Sequence, residues 1–298
     1  MRRALVLALA TACVGHGDEG SEWIPIDTVD GELAANIGPT PTLRAAPGCT
    51  LRVATFNVHY AGDPENIAAN IRASEKVGSA DVIMIQETRA YTGEDTTRTQ
   101  RIADGIAMTW AYAPARTLPE GGTHGNAILS RWPLENVAVR RLPYIEQPYH
   151  PEQRSAMAAD IVLGDRRVRM VNVHLDVRLT PVDRVRQLDP AVRDTDERLL
   201  VGGDFNTNPW TWVGSVVPLT SSEAVLGQEQ AAVIDDFLAA RRFTGAVAPD
   251  VNTMRIPGFS MRLDNLYARG MPILDAGVEY VDGSDHWPLW FDVDVCSP

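Results

Sequence analysis

From about residue 50 onward, apolar runs of strand length alternate with stretches of helical period. Leu51 to Val58 reads as a strand, and Asp63-Pro64 then opens a helix, the aspartate as cap and the proline at the first helical position. Ile67, Ile71 and Val77 keep one face of that helix apolar. Asp81 to Gln86 is a fully apolar strand that ends in Glu87, and residues 98–109 have a second helical pattern. Further strands are expected at Asn126–Ser130, Ala156–Leu163, Val168–Leu175, Leu199–Gly202, Leu263–Tyr267 and Leu289–Val295, with helices at 182–192 and about 229–242. The strands around 160 and 170 are joined by Gly164-Asp165 and read as a hairpin. Mixed pairing with helices outside predicts sheets packed on each other and covered by helices.

The pattern is different before residue 49. Arg2 and Arg3 precede a short apolar run, Ala4 to Ala12, and then Cys13. The run is too short for a span, which needs about 20 apolar residues, and reads as an export signal over residues 1–13. Leu9-Ala10-Thr11-Ala12-Cys13 resembles a bacterial lipoprotein signal, although the large aliphatic residue sits one place early. Lipidation of Cys13, with a membrane tether, and ordinary secretion therefore both stay open, and the protein is expected outside the cytosol or held at the envelope. Residues 14–48, rich in Gly, Asp, Glu, Pro and Thr, read as a flexible linker, and residues 49–298 as one domain. Cys49 and Cys296 flank everything that looks folded, and in an exported protein they are expected to pair.

Composition narrows the chemistry. The net charge is -12, with a pI of about 4.9, so the surface as a whole does not draw phosphate backbones from a distance. Lys76 is the only lysine and follows Glu75, which excludes a Gly-Lys-Ser/Thr phosphate loop. No Gly-x-Ser-x-Gly elbow and no paired Cys or His at zinc spacing are present.

Polar residues recur at the ends of the apolar strands: Asn57, Glu87, His174, Asp204 with Asn206, Asp264, and Asp285 with His286. Singly, each has a bland reading as a turn residue, a solvated strand end or a satisfied core group. Together they fall in order within Thr55-Phe56-Asn57-Val58, Gln86-Glu87, Gly125-Asn126-Ala127-Ile128-Leu129-Ser130, Asn172-Val173-His174-Leu175, Gly203-Asp204-Phe205-Asn206, Arg262-Leu263-Asp264 and Gly283-Ser284-Asp285-His286-Trp287-Pro288. This ordered set resembles the endonuclease/exonuclease/phosphatase superfamily, the deoxyribonuclease-I-like fold, across the whole domain.

The resemblance implies an α/β four-layer sandwich, two mixed sheets face to face with helices outside and the site at one edge. The first and last strands lie near each other in that fold, which supports the Cys49–Cys296 bridge. It also implies a divalent-metal-dependent phosphoester hydrolase, with Mg2+ or Mn2+ held by oxygen ligands. Glu87 would be the main ligand, with Asn57 beside it and Asp285 supporting. Asp204 and Asn206 would position and polarise the attacking water. Asp264 would orient and charge His286, a general base or phosphate-stabilising cation, while His174 would contact the departing side of the phosphate. Arg154 would salt-bridge the carboxylates, His124 would line the cleft, and Asn126 would donate to substrate or shape a turn. His59 reads as local structure, and Trp210, Trp212 and Trp287 as packing or stacking groups. A monomer is expected. Nucleic acid is the first expected substrate and a phospholipid or inositol phosphate the second. A non-catalytic binding module on the same fold is the alternative, but such a module would be expected to have lost Glu87, Asp204 or His286.

Overall fold

The computed structural model describes residues 22–29, 31–39, 48–149, 152–193, 197–219, 221, 225–227 and 230–297. The proposed signal and Cys13 lie outside the described residues. Fourteen strands are present among them: β1 (Ile24–Pro25), β2 (Asn36–Ile37), β3 (Thr50–Asn57), β4 (Val82–Ala90), β5 (Thr109–Thr117), β6 (Thr123–Ser130), β7 (Leu134–Arg141), β8 (Ser155–Leu163), β9 (Arg166–His174), β10 (Leu199–Asp204), β11 (Thr244–Gly245), β12 (Asp264–Arg269), β13 (Ile273–Val278) and β14 (Leu289–Asp294). Four α-helices accompany them: α1 (Pro64–Ala73), α2 (Arg98–Gly105), α3 (Pro181–Val192) and α4 (Gln230–Ala239). Each of the first three is capped by the side chain before it: Asp63, Thr97 and Thr180 accept from the N–H groups of Asn66, Gln100 and Asp183. Each such cap is worth about 1 kcal/mol.

The strands form two mixed seven-stranded sheets, ordered β1-β7-β8-β9-β10-β12-β11 and β13-β14-β3-β4-β6-β5-β2. Strand alternation divides the apolar side chains into three layers. Leu51, Val53, Met84, Ile128, Met170, Leu200, Leu266 and Phe291 fill the space between the sheets. Phe56, Ile83 and Ile85 face the other way and pack with Ile67, Ile71 and Ile102 of α1 and α2. Val171, Val173 and Val201 pack with Leu188 of α3 and Ile234 of α4. The four-layer α/β sandwich expected from the sequence is the fold observed.

Toward one end, the layer between the sheets turns polar. The Gln86 side chain reaches from β4 to Asn172 on β9 (2.7 Å), and Asn172 Nδ2 donates to the carbonyls of Ile85 and Ala127 (2.8 Å each). These bonds join the two sheets through fully buried groups. Removing one partner would leave the others desolvated and unpaired. The next inward-facing positions along the same strands are the candidate site residues.

Some expectations are corrected. The second helix stops at Gly105, and Thr109–Thr117 continues as a strand, whose run of small residues and Pro114 hides it from a periodicity reading. Val77 is buried just beyond α1, where the Glu279 carboxylate accepts from the N–H groups of Glu75, Lys76 and Val77. Part of the segment read as linker belongs to the fold. Ile24–Pro25 pairs with β7 at the edge of one sheet, and Asn36–Ile37 pairs with β5 at the edge of the other. Two-residue strands carry no periodicity, so composition alone suggested a tether. The Gly164 turn joins β8 to β9 with φ of 72°, as the hairpin reading requires. Cys49 and Cys296 form a disulfide with Cα atoms 5.0 Å apart. Among the described residues, no helix is long and apolar enough to cross a membrane.

Candidate active site

The polar ends of the inward-facing rows meet in a cleft of about 490 Å3. Asn57 closes β3, His174 closes β9, Asp204 closes β10 and Asp264 opens β12. Glu87 sits at a bulge in β4 with φ of 59°, where the register against β6 shifts between Ile85 and Thr88. The extra residue takes Glu87 out of the alternation and turns it toward the facing sheet.

Glycine makes the approach to Asp204 possible. A Cβ on Gly202 would meet Leu266 Cδ2 at 2.4 Å and Met84 Sδ at 2.9 Å. One on Gly203 would stand 1.9 Å from the Val173 carbonyl oxygen, and its φ of 145° disfavours any side chain. The pair lets the two sheets, and β9 beside β10, close in just below the carboxylate.

Asn57 Nδ2 donates to Asp204 Oδ2 (2.9 Å) and Glu87 Oε1 (3.2 Å), while its Oδ1 accepts from the His59 backbone (3.0 Å). Asn57 thus presents donors, not its oxygen, to the carboxylates. Asn206 lines the cleft beside Asp204. Its N–H donates to Asp204 Oδ1 and its Nδ2 to the Leu175 carbonyl, 2.8 Å each, so it orients Asp204.

His286 and Asp264 form the expected dyad, with Nδ1 2.8 Å from Oδ2, and the same oxygen accepts from Thr253 Oγ1 (2.8 Å). Burial alone would lower the His286 pKa, but the charge and hydrogen bond of Asp264, with Asp204 and Asp285 beyond, raise it to about 10. The imidazole is therefore a cation at neutral pH, its Nε2 3.9 Å from Asp204 Oδ2. Burial first and the Asp264 charge second lift Asp204 to about 7, against the pull of His286 and the Asn57 amide.

His174 has the opposite character. Burial first, then Arg154, His124 and His286, hold it well below its ordinary value, so it is neutral. Its Nε2 stands 3.6 Å from Asp204 Oδ2 and 3.7 Å from Glu87 Oε1, and the Arg154 guanidinium is 3.1 Å from the ring nitrogens.

Glu87, His174 and Asp204 converge closely enough to share a cation. Glu87 Oε2 is buried and has no hydrogen-bond partner. An unpaired buried carboxylate oxygen beside a second carboxylate fits a hard divalent cation, which takes oxygen ligands. Asp285 lies at the cleft mouth, 41% exposed, with its Oδ1 3.2 Å from His59 Nδ1.

The structure moves one expected residue out of the site. Asn126 is buried and donates to the Ser155 carbonyl (3.0 Å), tying β6 to β8, and it does not line the cleft. His124 does line it, as expected. Several lining groups escaped the sequence reading: His59, Tyr60, Arg116, Glu152, Asp176 and Arg178. Asp176 lies two residues beyond His174 on the same strand end and could have been inferred from that position; Arg116 and Glu152 had no such signal. His59, Tyr60 and Ala61 all take positive φ (41°, 68° and 50°), a left-handed turn that sequence periodicity cannot announce. Trp210 lines the cleft, whereas Trp287 packs edge-on against Tyr280 at 4.5 Å.

Comparison with known proteins agrees with this arrangement. The chain is 28% identical over 176 residues, 53% of its length and 67% of the relative's, to the uncharacterized protein YbhP of Escherichia coli. An endonuclease/exonuclease/phosphatase family protein from Leptotrichia buccalis superposes with a TM-score of 0.62 at 13% identity, over 82% of this chain and 99% of that one. Sphingomyelinase C from Streptomyces griseocarneus superposes with a TM-score of 0.55 at 16% identity, over 82% and 99% of the two chains. These likenesses to solved structures speak for the fold alone. The family model for the endonuclease/exonuclease/phosphatase family matches residues 54–286, from the first core strand to His286, and the chain belongs to that family.

Proposed function

We propose that the cleft hydrolyses a phosphodiester by in-line attack of water, with a divalent cation bound at Glu87. The reading is carried by three groups buried in one cleft: a carboxylate with an unpaired oxygen, a carboxyl raised to about 7, and a histidine held charged. Magnesium or manganese would be held by Glu87 with Asp285 nearby, and when bound would offset the phosphate charge and stabilise the pentacovalent transition state.

The protein's own groups divide the remaining work. His286, kept protonated by Asp264, binds a phosphoryl oxygen as a cation. Asp204 has a pKa close to neutrality and accepts the proton of the attacking water, with Asn57 and Asn206 fixing its two oxygens. His174 is neutral and serves as a donor to the phosphoryl oxygen on the departing side. Burial, reinforced by Arg154 behind it, keeps His174 from charging.

Nucleic acid is the first candidate substrate. Arg116, Arg154 and Arg178 line the cleft and offer guanidinium donors to phosphate oxygens, although the chain is acidic overall. The apolar run before Cys13 supports an exported protein.

The test is turnover of bis-p-nitrophenyl phosphate, plasmid DNA, RNA and sphingomyelin with Mg2+ or Mn2+, against EDTA. Glu87→Gln should abolish metal-dependent turnover and weaken metal binding measured by calorimetry. Metal-independent turnover, or full turnover by Glu87→Gln, rejects the reading; metal binding without turnover on any substrate favours a binding module.

A further inference from the structure

Beyond the carboxylates the cleft continues along the inner face of β4, β6 and β5. His124 on β6 lies in register with Arg89 on β4 and with Arg116 on β5. Both registers are reached only through irregularities, between Ile85 and Thr88 in β4 and between Pro114 and Arg116 in β5. Each neighbouring strand inserts one residue, and the insertion brings an arginine, in place of the residue before it, beside His124. Arg154, from the facing sheet, and Tyr60, from the left-handed turn, complete the walls.

These groups are not satisfied by one another. His124 is only 3% exposed, yet neither of its ring nitrogens has a hydrogen-bond partner, and the Nε atoms of Arg116 and Arg154 are likewise buried and without a hydrogen bond. Buried polar atoms of this kind are uncommon in folded proteins. Glu152 engages a different nitrogen of each arginine, at 2.9 Å and 3.1 Å, and so fixes the two forks without using Nε. Arg89 is held over the Tyr60 ring at 3.8 Å and pairs with Glu120 at 3.4 Å. Asp176 Oδ2 stands 4.0 Å from Arg154 Nε, so Glu152 and Asp176 together balance the charge of Arg116 and Arg154. The end is therefore rich in oriented donors.

We propose that His124, Arg116 and Arg154 form a subsite for a second phosphate, carried by the substrate next to the one that is hydrolysed. The inference rests on the phosphoesterase reading of the adjoining carboxylates and sharpens it. The preferred substrate carries two neighbouring phosphates, as a nucleotide chain or a bisphosphorylated polyol does. The His124 and His174 rings, 6.2 Å between centroids, stand one at each of the two positions. Neutral His124 donates through one nitrogen, and the guanidinium forks supply the charge-assisted bonds.

Calorimetric titration of the full chain, with and without Mg2+, tests the subsite by binding alone. The probes are thymidine 5′-monophosphate against thymidine 3′,5′-bisphosphate, and inositol 4-phosphate against inositol 4,5-bisphosphate. On at least one scaffold the bisphosphate should bind about ten-fold more tightly, the worth of one charged hydrogen bond. The scaffold showing the larger ratio identifies the source of the second phosphate. His124→Phe and Arg116→Gln should each cut that ratio to below about three-fold, the loss expected when a bond to a charged group is removed. Melting curves verify that both variants fold, and His124→Phe carries the test if Arg116→Gln does not fold. A wild-type ratio near one on both scaffolds overturns the proposal, as does a ratio that both variants keep. A subsite that survives while Mg2+-dependent turnover of bis-p-nitrophenyl phosphate is absent would sink the hydrolase reading and leave the anion site. Turnover with no bisphosphate preference would do the reverse.

Discussion

At the scale of single residues, the site sorts three histidines into two electrical states. His286 is charged because Asp264 lies against it; His124 and His174 are neutral because burial and arginines surround them. Their consequences for stability have opposite signs. The folded pKa of His286 is raised, so its contribution is complete below about 6.5 and is lost as pH rises through about 10. Asp264→Asn should therefore cost about 3–5 kcal/mol at pH 7, the price of breaking a buried charged pair, and should bring the imidazole titration seen by NMR down toward its ordinary value. An unchanged titration would mean that Asp264 is not what charges His286. For His124 the folded pKa is depressed, so stability is complete above about 6.5 and falls as pH drops below it, where the unfolded chain takes up a proton the folded chain refuses. His124→Phe should flatten the acid limb of a urea-unfolding profile by up to about 1.4 kcal/mol per pH unit between pH 6.5 and 5. Parallel limbs would show that His124 charges freely in the fold. Of these residues, all but Arg116, Arg89 and Glu152 near His124 were legible, because strand-end polar residues in a fixed order leave a mark in sequence. Arg116 leaves none, because its place beside His124 depends on an extra residue in β5.

At the scale of elements, the two glycines before Asp204 show why the order of motifs is so readable. Gly202 admits the facing sheet and Gly203 admits the neighbouring strand, so the Gly-Gly-Asp-Phe-Asn run records a packing demand as well as a chemical one. Gly203→Ala should destabilise the protein by about 2–5 kcal/mol, combining a strained φ with a backbone clash. It should also lower turnover, since Asp204 moves with the strand. A melting temperature within a degree of wild type would contradict that packing. Helix starts were legible from their caps at Asp63 and from Pro64, whereas β5, β7 and β13 were not. β5 mixes small and aromatic residues around Pro114, while β7 and β13 lie toward the sheet margins, where half their side chains face water and the alternation fades.

At the scale of the whole molecule, residues 24–37 run from one sheet to the other. Ile24–Pro25 covers the edge at β7, Asn36–Ile37 covers the edge at β5, and Gly38 N–H adds a bond to the Trp110 carbonyl at 2.7 Å. Bare strand edges invite pairing with other chains. A variant lacking residues 1–47 should melt lower and self-associate in light scattering, while keeping the cleft intact. If it stays monodisperse with an unaltered melting curve, the segment is no more than a passenger. Composition marked this stretch as a tether because its contribution is made by backbone, which residue type does not report.

The Cys49–Cys296 bridge lies at the other end of β3 from Asn57, about 26 Å away at strand rise. It closes a covalent ring from first core strand to last, with the edge-covering residues 24–37 outside it. In topological terms, the place where this chain begins and ends is nearly arbitrary. Residues 49 and 296 could be spliced and new ends opened at the Gly164-Asp165 turn, and the core strands would keep their neighbours while the edges covered by residues 24–37 would be bare. The order in which the motifs are read along the gene would be rotated, and the cleft they build would be the same.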